Sequence, residues 1–302
     1  MFPTLYTMRT SLGDLPYNTW GLLLTVAFFA AALVVHRRSS RVGIDPDKMV
    51  GLYIIAILAG LAGARLLHYL GAEGTEFYDN PLVYFDLSKG GFAVLGGVIG
   101  AAALGVVYGL VRRIPVLKMA DVVAPAVILG MSIGRVGCFF AGCCHGAVVE
   151  LPAGAIAVLP ESFGGGQLWV TGAPPFLFEM TTRGVGHNNV VVLATQVYDA
   201  VVLAGLFAVL SWLWHRRLFD GQVAGTSMVL YGIWRPIVET FRGDEIRGTG
   251  HFGALTTSQV ASVLVLVGGL ILLAVQFRRG VAPETPFAPT DDDITRGSAP
   301  RI

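Results

Sequence analysis

Apolar residues run along the chain in seven blocks, roughly 19–36, 49–70, 92–111, 121–141, 198–214, 222–242 and 257–277. Each is close to the ~20 residues that a helix needs to cross a ~30 Å hydrocarbon core. The pattern predicts an all-α integral membrane protein with about seven transmembrane helices. Basic residues follow every second block: Arg37, Arg38, Arg41 and Lys48, then Arg112, Arg113 and Lys118, then His215, Arg216 and Arg217, then Arg278 and Arg279. The loops between are acidic or mixed, with Glu73, Glu76 and Asp79 after the second block and Arg242, Asp244, Glu245 and Arg247 after the sixth. Basic loops stay on the cytoplasmic side, so the alternation predicts an outer N-terminus and an inner C-terminus.

Three stretches fall outside the blocks. Residues 1–18 show no charged-then-apolar pattern and read as an outer N-terminal segment rather than a cleavable signal peptide. Residues 147–192, rich in Gly and Pro, are too interrupted to span. They predict a small outer-face cap between helices 4 and 5, with 19–277 as the transmembrane domain. The polar, proline-rich stretch 278–302 reads as a disordered cytoplasmic tail. Composition agrees with the pattern: 54% of residues are hydrophobic and 14% charged, against about 25% charged in soluble domains. A net charge of +1 argues against a nucleic-acid partner.

The charges inside the blocks alter this picture. An arginine at the centre of a spanning helix costs about 2.5–3.5 kcal/mol on insertion scales, so one that is kept has a polar partner or a ligand. Arg65, Arg135 and Arg235 lie in the second, fourth and sixth blocks, which all run from inside to outside. Counted along each block at about 1.5 Å per residue, all three fall in the outer half of the membrane. Glu239, one turn beyond Arg235, is placed to pair with it at i, i+4, whereas no carboxylate stands at such a spacing from Arg135. Salt bridges between helices or snorkelling would also account for the cations. A phosphate fits two guanidinium forks, and a phospholipid is the phosphate compound available at that depth.

Around Arg135 the sequence GMSIGRVGCFFAGCCHG, 130–146, gathers five glycines, His145 and all three cysteines, Cys138, Cys143 and Cys144. Three clustered thiols make a poor disulfide scaffold. Apolar filling, a reactive thiolate–imidazole pair and a metal site stay open as readings. The spacing C-x₄-C-C-H matches no common zinc pattern, so neither a metal nor another cofactor is expected.

Several motifs occur in an order that resembles the prolipoprotein diacylglyceryl transferase family of bacterial inner membranes, across roughly residues 19–277. They are GARL at 63–66, NPL at 80–82, KGGFAVLGGVIG at 89–100, DVVAP at 121–125 leading to GR at 134–135 and Gly146, TQVYD at 195–199, YGIWRPIVETFR at 231–242 and SQ at 258–259. The resemblance implies a seven-helix enzyme that moves diacylglyceryl from phosphatidylglycerol to the lipobox cysteine thiol of a prolipoprotein signal peptide, releasing glycerol phosphate. It implies that Arg135 and Arg235 hold the phosphate while Tyr231, Glu239 and Arg242 shape the cavity. Arg65, Gly96, Gly97, Gly146 and Tyr198 join the expected substrate-binding set. The chain departs from the family at its histidine before the Gly-Gly pair, here Leu95, and at signature positions now Trp20, Cys138, Ala141 and Cys143. His145 is expected to supply the base instead.

The expected localisation is therefore the bacterial inner membrane, multi-pass in the lipid bilayer. Two other readings use the same residues: a non-catalytic phospholipid-binding protein on this scaffold, and a thiol-redox or metal-binding membrane protein built on Cys138 to His145.

Overall fold

The computed structural model describes residues 4–10, 13–71, 84, 91–147, 177–181, 189–241 and 256–279. Among the described residues, seven α-helices coincide with the seven apolar blocks: α1 Thr19–Arg41, α2 Pro46–Gly71, α3 Val94–Val111, α4 Val116–Ala141, α5 Thr195–Arg216, α6 Gln222–Thr240 and α7 Thr257–Arg279. Six of these cross a membrane by length and apolar composition alone. The exception is α6, which carries Arg235 and Glu239. Large apolar side chains face outward, among them Phe29 at 73% exposure and Leu264 at 68%. In water such a surface would be an aggregation liability, and against lipid it is the ordinary condition of a spanning helix.

Two antiparallel hairpins accompany the helices, which the hydrophobic pattern did not announce. β1 Thr4–Thr10 pairs with β2 Gly13–Asn18, and β3 Leu177–Thr181 pairs with β4 Asn189–Leu193. The second pair falls in the expected cap, whose remainder lies outside the described residues apart from Ala147. Arg242, the NPL motif and the tail from residue 280 also lie outside them.

The chain divides into two units, changing over between Ala31 and Ala32 in α1 and between Val122 and Val123 in α4. In the unit spanning residues 32–122, glycines bring α2 and α3 together. A Cβ on Gly100 would sit 2.5 Å from the Ala59 carbonyl oxygen and 3.2 Å from the Gly63 Cα, and Gly96 lies against the Gly63 backbone and Leu67. Gly97 is set against the Gly60 carbonyl and the Ala64 Cβ. Gly96 and Gly97 thus occupy a helix–helix contact of the close small-residue kind, rather than a surface left to a ligand. The Ala93 amide donates to the Ala64 carbonyl (2.9 Å) and the Tyr108 hydroxyl to the Lys48 carbonyl (3.0 Å), which fixes the register.

The other unit, residues 1–31 and 123–283, repeats the device with α6 and α7. A Cβ on Gly232 would stand 2.8 Å from the Leu266 Cβ, and one on Gly269 would stand 2.9 Å from the Gly225 carbonyl oxygen. Here α4 packs on α1 through Gly137, next to Trp20 and Leu23, while Gly134 has open space where a Cβ would be. The Ser132 hydroxyl donates to the Ala200 carbonyl (2.8 Å), tying α4 to α5. Leu203, Leu210, Trp214, Val223 and Val238 form the buried apolar centre of α5 and α6.

Candidate active site

The charged residues of α4, α5 and α6 meet within this second unit. Asp199, 4% exposed, takes Nε of Arg135 at 2.7 Å through Oδ2. Through Oδ1 it accepts a hydrogen bond from the Trp234 indole N–H at 2.8 Å. One carboxylate thus joins three helices, with both of its oxygens engaged. Because Asp199 meets Nε, the Nη1–Nη2 edge of the Arg135 fork is left for a second anion. Arg135 itself is 17% exposed and so reachable.

On α6, Arg235 Nη2 and Glu239 Oε2 are 2.5 Å apart, the i, i+4 pair expected from their spacing. Both are buried, at 10% and 3% side-chain exposure. Tyr231, one turn earlier, feels the charges of Arg235, Arg135, Asp199 and Glu239 together. Tyr231 therefore lies within electrostatic reach of both ion pairs. Two compensated ion pairs of this kind are neutral at rest, and they hold two guanidinium groups in fixed orientation in a poorly hydrated setting.

Beyond the end of α4 the chain turns back sharply. Gly142 (φ 73°) and Cys144 (φ 61°) adopt left-handed backbone conformations. Gln196 Nε2 donates to the Cys143 carbonyl (2.8 Å), and the Thr195 hydroxyl to the Cys144 carbonyl (3.1 Å), so the first turn of α5 holds the loop. The Gly146 amide donates to the Leu193 carbonyl and the Ala147 amide to the Phe241 carbonyl. A Cβ on Gly146 would come within 2.6 Å of both the Leu193 Cβ and the Phe241 carbonyl oxygen. This is the physical reason for a glycine there, and its described neighbours are protein. His145 places Nδ1 3.0 Å from the Gly146 carbonyl oxygen, so an Nδ1–H donor leaves Nε2 as the basic nitrogen. The Cys143 thiol is pushed up above the ordinary thiol range, first by its hydrogen bonds with Cys138 and Cys144 and then by burial.

Of the expected site residues, this unit brings Arg135, Arg235, Glu239 and Tyr231 together, and carries Tyr198 on the first turn of α5 and His145 beside the turn. Arg65 belongs to the other unit. There its Nε donates to the Tyr84 carbonyl (2.6 Å), its Nη2 meets the Tyr69 hydroxyl (3.2 Å), and its guanidinium lies over the Tyr69 and Phe92 rings. The residues missed were Asp199, Trp234, Gln196 and Thr195. TQVYD was visible as a motif, but nothing in sequence spacing pointed Asp199 at Arg135.

A family model described as prolipoprotein diacylglyceryl transferase matches residues 7–275. A phosphatidylglycerol–prolipoprotein diacylglyceryl transferase of Clostridium tetani is 29% identical over 261 residues, 86% of this chain and 94% of that relative. The protein of the same name from Clostridioides difficile is 30% identical over 252 residues, 83% of this chain and 88% of that relative. A third, transferase 2 of Clostridium perfringens, is 28% identical over 276 residues, 90% of this chain and 97% of that relative.

Proposed function

The chain belongs to the prolipoprotein diacylglyceryl transferase family, and from that premise we propose that it is a multi-pass membrane transferase acting on phosphatidylglycerol and a prolipoprotein. In this reading the lipobox thiol of the signal peptide displaces glycerol phosphate from the diacylglyceryl carbon. The observation that carries it is the two ion pairs, Arg135–Asp199 and Arg235–Glu239, with Tyr231 within electrostatic reach of both.

The chemistry asks for that arrangement. A phosphodiester becomes a monoester dianion as the carbon–oxygen bond breaks, so charge grows on the phosphate in the transition state. Donors fixed in advance on that charge act where it develops and need no reorganisation. Asp199 and Glu239 orient the forks, and Tyr231 adds a hydroxyl between them. Tyr198, Arg242 and Gly146 complete the proposed lipid-binding surroundings. Arg65, Gly96 and Gly97 enter as framework, because their described contacts go to α2, α3, Tyr84 and the neighbouring rings. His145 is assigned as the relay that carries the thiol proton to water, through Nε2.

The proposed setting is the bacterial inner membrane, with the N-terminus and the 147–192 cap on the periplasmic side, where signal peptides emerge, and the C-terminus in the cytoplasm. Reconstitution in phosphatidylglycerol vesicles with a lipobox peptide tests the reaction. A thioether-linked diacylglyceryl peptide and one equivalent of glycerol phosphate are expected. Unchanged lipid and peptide, with protein that still binds phosphatidylglycerol, would leave a lipid-binding protein in place of an enzyme. In the same assay His145→Ala is expected to lower transfer while keeping lipid binding.

A further inference from the structure

All three cysteines meet at the end of α4. Their Sγ atoms lie within 4.8 Å of one another, and none of the three forms a disulfide. Cys138 is still on the helix, so Cys143 and Cys144 reach it only because the chain reverses within a few residues. That reversal uses the left-handed Gly142 and a left-handed Cys144, a conformation that disfavours a residue bearing a Cβ. Gln196 and Thr195, 1% and 2% exposed, hold the carbonyls of Cys143 and Cys144. Backbone interactions thus fix the turn that carries the thiols, and within it the Cys143 thiol donates to the Cys138 carbonyl at 3.7 Å.

We propose that Cys138, Cys143 and Cys144 ligate one zinc ion whose fourth position is open, and that this position takes the acceptor thiol, so that the nucleophile is a zinc-bound thiolate. This rests on the transferase reading and deepens it by giving the acceptor thiol a site that activates it. Tetrahedral zinc with bonds of about 2.3 Å sets sulfurs about 3.8 Å apart, a spacing the cluster accommodates. Three protein ligands with one vacancy is the pattern of a catalytic zinc, whereas structural sites are closed by four. Among the described residues no fourth His, Cys, Asp or Glu joins the cluster. His145 is the nearest in sequence, and its Nδ1 is turned onto the Gly146 carbonyl. Cys143 is exposed, which leaves an incoming thiol a way in. Cys138 follows Arg135 by one turn of α4 and feels its positive charge, so the nucleophile would form beside the phosphate site.

The step balances without a redox partner. The peptide thiol binds zinc and releases its proton to water, as a metal-bound thiol does. The sulfur electron pair then attacks the glyceryl methylene carbon. The carbon–sulfur bond forms, the carbon–oxygen bond to phosphate breaks, and that electron pair leaves on glycerol phosphate. The neutral thioether product, a weaker ligand than a thiolate, departs and the fourth position reopens.

The full chain in detergent with phosphatidylglycerol, reduced and freed of metal by chelation, is titrated with cadmium and read by its sulfur-to-cadmium charge-transfer absorbance. Zinc is counted separately by elemental analysis. One ion per chain is expected, with the band reduced in Cys138→Ser, Cys143→Ser and Cys144→Ser variants that still bind phosphatidylglycerol. A peptide with a single cysteine should raise the band by about one third, as three metal–sulfur bonds become four, and its serine counterpart should not. No band at stoichiometric cadmium, or a band unchanged in all three variants, overturns the metal site. A band indifferent to the cysteine peptide overturns the role in holding the acceptor. Transfer by metal-free protein overturns the zinc thiolate and leaves the transferase reading intact. A band that answers the peptide, with no glycerol phosphate released, supports the site and counts against the transferase reading.

Discussion

Arg65 and Arg135 lie far along their membrane helices and differ in their described partners. In the unit spanning residues 32–122, Arg65 is 2% exposed and donates to the Tyr84 carbonyl and Tyr69 hydroxyl, under the cover of two aromatic rings. In the other unit, Arg135 meets a carboxylate through Nε alone and remains 17% exposed. The described partners of Arg65, a carbonyl, a hydroxyl and two ring faces, hold its guanidinium in place. A carboxylate at one edge orients a cation that has a second anion to receive. Both units are otherwise built alike, from a pair of helices pressed together at glycines. The difference between framework and site therefore resides in the partners of the arginines.

That contrast breaks most visibly in the arginines of the second unit. Arg135→Ala and Arg235→Ala are expected to lower transfer about 10²–10³-fold, the loss typical of one fixed donor at a developing negative charge. Quantitative release of glycerol phosphate from vesicles measures it. Arg135→Lys should recover little, because one ammonium cannot meet Asp199 and a phosphate at opposite edges. Full activity in Arg135→Lys and Arg235→Lys would show that fork geometry is not needed.

Asp199→Asn sharpens the comparison at the next level. The amide keeps an oxygen for the Trp234 N–H but removes the charge facing Arg135, so the arginine is no longer held by an ion pair. Transfer is expected to fall about 10–100-fold, equivalent to about 1.4–2.8 kcal/mol. Full activity would mean that the pair has no orienting role. In the other unit Arg65→Met should instead lower stability by about 1–3 kcal/mol, as the Tyr84 carbonyl loses its charged donor. Thermal unfolding in detergent measures that loss, and transfer per folded molecule should be unchanged. A large fall in transfer with unchanged stability would return Arg65 to the substrate-binding set.

The seven helices were legible because apolar blocks of spanning length leave few alternatives. Even α6, which carries Arg235 and Glu239, has an apolar block of spanning length, and those two charges stand at i, i+4 on it. The pairing of β1 with β2 was not legible, since TLYTMRT and GDLPYN alternate poorly between apolar and polar residues. Asp199 was missed for a different reason. Its pairing with Arg135 joins residues far apart in sequence, and only the packing of α4 on α5, tied at Ser132 and Ala200, makes it. The shared depth counted from block edges was a weaker guide, since α4 begins at Val116, well before Asp121. The cysteine cluster was visible as residues but not as geometry. A left-handed backbone at Cys144, a residue other than glycine, is not encoded in any spacing rule.

The smallest expected effect tests the finest part of the comparison. Trp234 touches the site only through its indole N–H, 2.8 Å from Asp199 Oδ1, while Oδ2 of the same carboxylate holds Arg135. Replacing it by Phe keeps an aromatic ring and removes one hydrogen bond to a charged acceptor, worth about 1.5–3 kcal/mol when fully formed. Part of that loss should be recovered, because Asp199 keeps its ion pair and water can take the vacant oxygen. The expected net change is therefore a fall in kcat of about tenfold or less, with KM for phosphatidylglycerol little altered, since Trp234 positions Asp199 rather than the lipid. The two single variants and the double variant of Asp199→Asn with Trp234→Phe form a cycle. If Trp234 acts through Asp199, its substitution adds little once the charge is gone. Full additivity in that cycle would separate the indole from the carboxylate and give Trp234 a role independent of Asp199.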